Sequence, residues 1–175
     1  MIVNASTAPP ETAALDQFVE IVAETASDPD AFRGDATRAL FVWWRDASAT
    51  CQGGLPPRRA FDILDHTRIA ADLFLVQVID DTSFRMKVQG DNVISLIGRS
   101  NMGRVFKLAK TVDAKEYEIA EHYARVVGSR TAWRCRGSAA VFDKSYLSVE
   151  SVDCPLADPA TGRITHIVGV LQEMT

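Results

Sequence analysis

Leu15, Phe18, Val19 and Val22 recur at i, i+3, i+4 and i+7, with Asp16, Glu20 and Glu24 mostly off that stripe, and this spacing predicts an amphipathic helix over residues 11–26. After the break SDPDAFRG, a second helix is predicted from Asp35 to Ser48. Leu40, Phe41, Val42, Trp43 and Trp44 make it apolar around most of its circumference, so something must cover it. Packing on the protein's own sheet is one reading, and a partner surface shared with the first helix is the other. Gly53-Gly54-Leu55-Pro56-Pro57 then forces an extended connector, because proline lacks the backbone donor and disfavours helix in the residue before it. The division implied is a tail and helical extension over 1–52 and a folded domain over 53–175.

Beyond a short helix near Asp65 to Ala71, the period changes from 3.6 to 2. Leu73 to Ile79 reads as a strand, Asp80-Asp81-Thr82 as a turn, and Phe84, Met86 and Val88 alternate with Arg85, Lys87 and Gln89 as the second arm of a hairpin. From Gly90 the pattern is helical but broken by Gly98 and Gly103. A longer helix is predicted from Asp113 to Val127, with Asp113 and Glu116 as its capping pair and Tyr117, Ala120, Tyr123, Ala124 and Val127 as its inner stripe. Three strands follow, about Thr131–Phe142, Tyr146–Cys154 and Ile164–Met174, and their short connections imply antiparallel neighbours.

Composition narrows the function classes. A chain of 175 residues suits one domain with an added helical segment. No apolar run approaches the roughly 20 residues needed to span a bilayer. The N-terminus MIVNASTAPPETA lacks a basic segment followed by an apolar one, so it reads as a loose tail and not a secretory signal, and a cytoplasmic location is expected. A net charge of −4 argues against nucleic acid as a partner. Cys51, Cys135 and Cys154 are odd in number and lack CxxC or metal-ligand spacing, which fits reduced, inert thiols better than a redox pair.

The order of elements is helical preface, two strands, a helical block, then three antiparallel strands. That order resembles the PAS domain, a sensor module whose five-stranded antiparallel sheet curls around a helical side to enclose a pocket. The ending resembles it too, with Pro155-Leu156, Asp158, Gly162, Gly169 and the final Glu173-Met174-Thr175. More narrowly, the chain is similar to stand-alone bacterial PAS proteins of the alphaproteobacterial type over residues 40–175. The similarity rests on Trp44-Arg45, Leu55-Pro56 with Arg58-Arg59, Phe61-Asp62, Leu73-Phe74-Leu75, Phe84-Arg85 with Gly90, and Gly98-Arg99 with Gly103-Arg104. Ile63, Ala71, Asp91 and Met102 depart from that pattern. The fold implied is α+β, a PAS-like five-stranded antiparallel sheet with helices on one side and an N-terminal helical extension.

The resemblance implies a regulatory protein in bacterial signal transduction. In many such proteins the final triplet joins the sensor to an output unit. Here nothing follows Thr175, so output is expected through non-covalent contact with a signalling protein or through self-association. A homodimer is predicted through the stripe of Leu15, Phe18 and Val22. The PAS arrangement would aim Met86, Val88, Ile94, Ile97, Phe106, Trp133 and Val168 inward, either as a filled core or as the wall of a cavity for a small, mainly apolar ligand. Arg99, Arg104 and Lys107, in a stretch free of acids, together with Arg134 and Arg136, are candidates for holding an anion or an acidic partner, or simply form a solvated face.

Catalytic chemistry finds little support in the sequence. His66, His122 and His166 are the only histidines, and no HExxH, GxSxG, P-loop or GxGxxG pattern is present. No metal site is expected; one would need scattered residues such as His166 and Asp153. The region matching the flavin-binding helix of light-sensing PAS proteins, Asp91 to Arg99, has no cysteine, which argues against a photoreactive flavin. Haem-binding relatives use a helical histidine near the position of His122, but Glu121 and Tyr123 beside it suit a half-buried or surface residue. The identity of any other cofactor stays open. The alternative function is a small α+β enzyme with its active site in the concave sheet, which a perturbed partner beside Asp153 or His166 would favour.

Overall fold

The computed structural model of the protein describes residues 22–175. Leu15 and Phe18 of the expected first helix lie outside the described residues. Its last turn is not helical: Val22–Thr25 is a strand, β1, paired antiparallel with the later strand residues Trp133 to Arg136. The helical spacing of Val22 yields to an open sheet edge, which offers the backbone of these residues a ladder of hydrogen bonds. Val22 therefore belongs to the sheet and not to a helical stripe.

The sheet has seven strands, and every adjacent pair is antiparallel. They are β1, β2 (Leu73–Asp80), β3 (Ser83–Gln89), β4 (Val105–Lys107), β5 (Trp133–Ala139), β6 (Lys144–Ala157) and β7 (Ile164–Met174). Their order across the sheet is β1-β5-β6-β7-β2-β3-β4. The five expected strands form the middle. The two additions are the edges: β1, and the three-residue β4, too short to show any period inside the glycine-punctuated stretch after Gly90.

Helices α1 (Asp35–Thr50), α2 (Asp91–Ile97) and α3 (Ala114–Ser129) pack on this sheet from both faces, whereas one helical side was expected. Strand parity decides which helix a side chain meets. Along β6, Glu150 reaches Thr37 at the start of α1, while Asp153 reaches His122 of α3 on the opposite face. Alpha-1 buries Ala36, Leu40, Phe41 and Trp44, and the Trp44 indole N–H donates to the Pro155 carbonyl at 2.9 Å. Full burial of side chains such as Leu40 and Phe41 stabilises by about 1.5–3 kcal/mol each. The apolar second helix is thus covered by the protein's own sheet.

The start of α1 is held by a buried carboxylate. Glu150 is 1% exposed and accepts from the backbone N–H groups of Arg33 and Gly34 and from the Thr37 hydroxyl. It also accepts from Arg134, which is buried and bonds Glu24 of β1 with a further nitrogen. One ion-paired cluster therefore ties together β1, β5, β6 and the positive end of α1.

The connector after α1 forms three 3-10 turns, Arg58–Ala60, Ile63–His66 and Ala70–Asp72, the last two in place of the expected short helix. His66 stacks on Phe61 at 4.7 Å between centroids, and Trp43 of α1 meets both rings edge-on. Alpha-3 begins as expected, with the Asp113 carboxylate accepting the Glu116 N–H. Its deeply buried residues are Ala120, Tyr123 and Val126, so the inner stripe is turned slightly from the one the sequence suggests.

Candidate functional site

A bulge decides what the concave side of the sheet presents. In β3 the register with β2 slips at Lys87: Val76 pairs with Met86, yet Leu75 pairs with Val88 and Phe74 with Gln89. Simple alternation would keep Val88 beside Met86, but the extra residue sends Val88 to the far face and brings Gln89 to the near one. One row of pairs then runs across the sheet as Trp133, Asp153, Gly169, Phe74 and Gln89.

Beneath α3 and α2 this face forms the floor of a half-open cavity of about 350 Å³. Phe74, Met86, Val93, Ile97, Phe106, Val149 and Leu171 supply its apolar wall. Gly169 makes part of the room, because a β-carbon there would lie 2.1 Å from the Phe74 ring tip. Of the residues expected to line a pocket, Met86, Ile97 and Phe106 do so. Val88 and Val168 fall on the opposite face, as the pair Leu75↔Val168 and the bulge require. Ile94 is half-buried on α2, where Val93 and Ile97, one turn apart, take the inner positions. Trp133 lies on the correct face but packs on the end of α3: its N–H donates to Ser129 and Arg125 covers its ring.

The expected anion-binding residues do not converge. Arg134 is committed to Glu150 and Glu24 in the core. Arg104 pairs with Glu116 at 2.9 Å and lies over Phe106. Arg99 is exposed and shares with Arg104 an open recess that also contains Asp113, Glu116 and Asp143, so its charge is mixed. Lys107 is exposed on edge strand β4, and Arg136 of β5 lines the cavity with a buried Nε that has no hydrogen-bond partner among the described residues.

A polar chain in the cavity lining was not anticipated. His122 Nε2 lies 2.9 Å from Asp153 Oδ2, and His122 Nδ1 lies 3.8 Å from Cys135 Sγ. The Asp153 side chain is 3% exposed and that of His122 21%. Burial disfavours the imidazolium, but the Asp153 charge and hydrogen bond outweigh it and, with the Cys135 contact, push His122 up to about 10. Burial holds the Tyr123 hydroxyl beside it well above its usual range.

His122, Cys135 and Asp153 offer ligand atoms within 4.8 Å of one another, close enough to raise the question of a metal ion. Each imidazole nitrogen, however, faces a different partner, which is the geometry of a relay and not of a shared coordination shell. His166, the other histidine considered with Asp153, pairs with Gln77 and Leu156 on the opposite face. Cys154 also faces away from Cys135, and burial pushes its thiol up. The relay was hard to find because strand register decides which residues of β5 and β6 meet α3. Cys135 and Asp153 do share odd-numbered positions on neighbouring strands.

A curled antiparallel sheet with helices packed on it and a cavity on one face defines the class of fold. Residues 32–172 match the family model described as PAS domain, and the chain belongs to the PAS domain family. No curated protein matches it. Similar solved structures include two light-oxygen-voltage proteins. An RNA-binding light-oxygen-voltage receptor aligns at 19% identity over 68% of this chain and 36% of its own, with a TM-score of 0.41. The light-state structure of the blue-light photoreceptor Aureochrome1 LOV aligns at 12% identity over 65% of this chain and 88% of its own, also at 0.41. This chain thus spans about a third of the first of these. Among the described residues, no helix is long and apolar enough to cross a membrane.

Proposed function

We propose that the chain is a sensory and regulatory domain that takes a small, mainly apolar molecule in the cavity under α3. Its occupancy is passed on by non-covalent contact with a signalling protein or a second copy. The observation that carries this is the cavity itself: about 350 Å³, within the range of small-molecule sites, with a mainly apolar wall interrupted by polar side chains such as Asn101, His122 and Asp153. Membership of the PAS family supports the sensing role. Native mass spectrometry of protein purified gently from its host tests it. A retained small molecule, absent from a Val149→Phe variant that fills the wall, supports the proposal. Retention unchanged by that variant contradicts it.

One observation favours a second reading, a small α+β enzyme: Asp153 faces the cavity beside a histidine whose charge state it alters. Turnover separates the two. A sensor binds or reacts once per chain, whereas an enzyme converts many equivalents of the same compound.

A further inference from the structure

Cys135, His122 and Asp153 come from three different elements, β5, α3 and β6, and all three line the cavity. The carboxylate of Asp153 is almost wholly buried, and its described partners are the His122 Nε2 at 2.9 Å and the Ser151 hydroxyl at 3.5 Å. A buried carboxylate with so few partners holds the imidazole in its charged form and in one orientation. The remaining ring nitrogen, Nδ1, is thereby fixed as an N–H facing the Cys135 sulfur at 3.8 Å. An oriented imidazolium beside a cavity-facing thiol stabilises the negative charge that sulfur carries when it attacks.

We propose that Cys135 is a nucleophile that captures an apolar α,β-unsaturated carbonyl compound in the cavity, with His122 as its proton relay and Asp153 as the group that positions His122. This rests on the reading of the cavity as a ligand site and adds the chemical class of the ligand. The apolar wall of Phe74, Met86, Ile97 and Phe106 suits the carbon skeleton. A polarisable sulfur suits a conjugated carbon. In the reaction the thiol proton leaves to water, the S–C bond forms at the β-carbon, and the C=C π pair passes to the carbonyl as an enolate. The enolate α-carbon takes the proton from Nδ1, and water reprotonates the imidazole. The net change adds S–H across C=C and consumes no oxidant or reductant.

Cys51 and Cys154 serve as internal references. Cys51 is half-buried where α1 ends, and Cys154 is fully buried on the opposite face. The test exposes the intact protein to excess 2-cyclohexen-1-one at neutral pH, with intact-mass detection and peptide mapping. Thermal shift with the unreactive analogue cyclohexanone reports binding without bond formation. One adduct is expected, on Cys135, forming about 100-fold faster than on Cys51. His122→Gln and Asp153→Asn are each expected to slow Cys135 at least about tenfold while leaving the Cys51 rate unchanged. Reaction at Cys135 within about threefold of Cys51, with cyclohexanone still stabilising the protein, overturns covalent capture and leaves the ligand-site reading standing. Absence of both adduct and stabilisation overturns both. A Cys135 rate unaffected by either variant overturns the relay.

Discussion

Gly169 and Phe74 occupy paired positions on β7 and β2, and the Phe74 ring tip sits 2.1 Å from where a β-carbon on Gly169 would be. The ring lies over the glycine, and that overlap sets the depth of the cavity. Gly169→Ala is expected to drive the ring toward the cavity, lower stability by about 1–3 kcal/mol and weaken binding of any apolar guest. Denaturant unfolding and a binding titration on the same variant check both parts. Full stability with unchanged binding contradicts this account of the wall.

His122 contributes pH-dependent stability of a definite sign. Its folded-state value is raised from 6.5 to about 10, against the effect of burial, by the Asp153 charge and hydrogen bond and by Cys135. The contribution is therefore fully present below about pH 6.5 and is lost as pH rises toward 10. Glu118, Glu121 and Arg125 of the same helix also line the cavity. Unfolding free energies of the wild type and His122→Gln should converge as pH rises through it. A difference that stays constant from pH 6.5 to 10 contradicts the ion pair.

Glu150 behaves with the opposite sign. Burial raises it, but the Thr37 hydroxyl, the Gly34 N–H, Arg134 and the Arg33 N–H together hold it below its ordinary 4.5. Its stabilisation is present above that value and is lost as pH falls through the lower folded value. Glu150→Ala leaves Arg134 buried beside only Glu24 and the start of α1 without its anion. A loss of about 3–5 kcal/mol is expected from equilibrium unfolding, a size associated with breaking a buried pair. A loss near zero would show that the cluster is not what fastens α1.

Self-association has its own test. The stripe of Leu15 and Phe18 lies outside the described residues, and the expectation is that a dimer of this chain depends on it. Sedimentation of Phe18→Asp should then show half the mass of a wild-type dimer, and an unchanged mass contradicts that interface.

The sequence made the central elements legible because their periods are long and uninterrupted. Asp35 to Thr50, the hairpin of β2 and β3, α3 with its Asp113 cap, and β7 all lie where apolar spacing places them. The misses have physical causes. Val22 to Thr25 carries a helical period but pairs with β5, since a sheet edge outweighs a weak local preference. Val88 was assigned to the pocket by alternation, and a single bulged residue reverses that assignment. Arg134 read as a surface cation because its partners, Glu150 and Glu24, lie 16 and 110 residues away in the chain. His122 and Asp153 were each noticed, but only the β5–β6 register brings them together with Cys135.

The central claim is that the cavity under α3 admits a small apolar guest. Fluorescence titration with the neutral apolar dye N-phenyl-1-naphthylamine tests it most directly, comparing the wild type with Val149→Trp, whose circular dichroism shows whether the fold is kept. Saturable binding of one dye per chain, abolished in the folded variant, is the result this account predicts. Binding that is absent from the wild type, or equally strong in the filled variant, would contradict it.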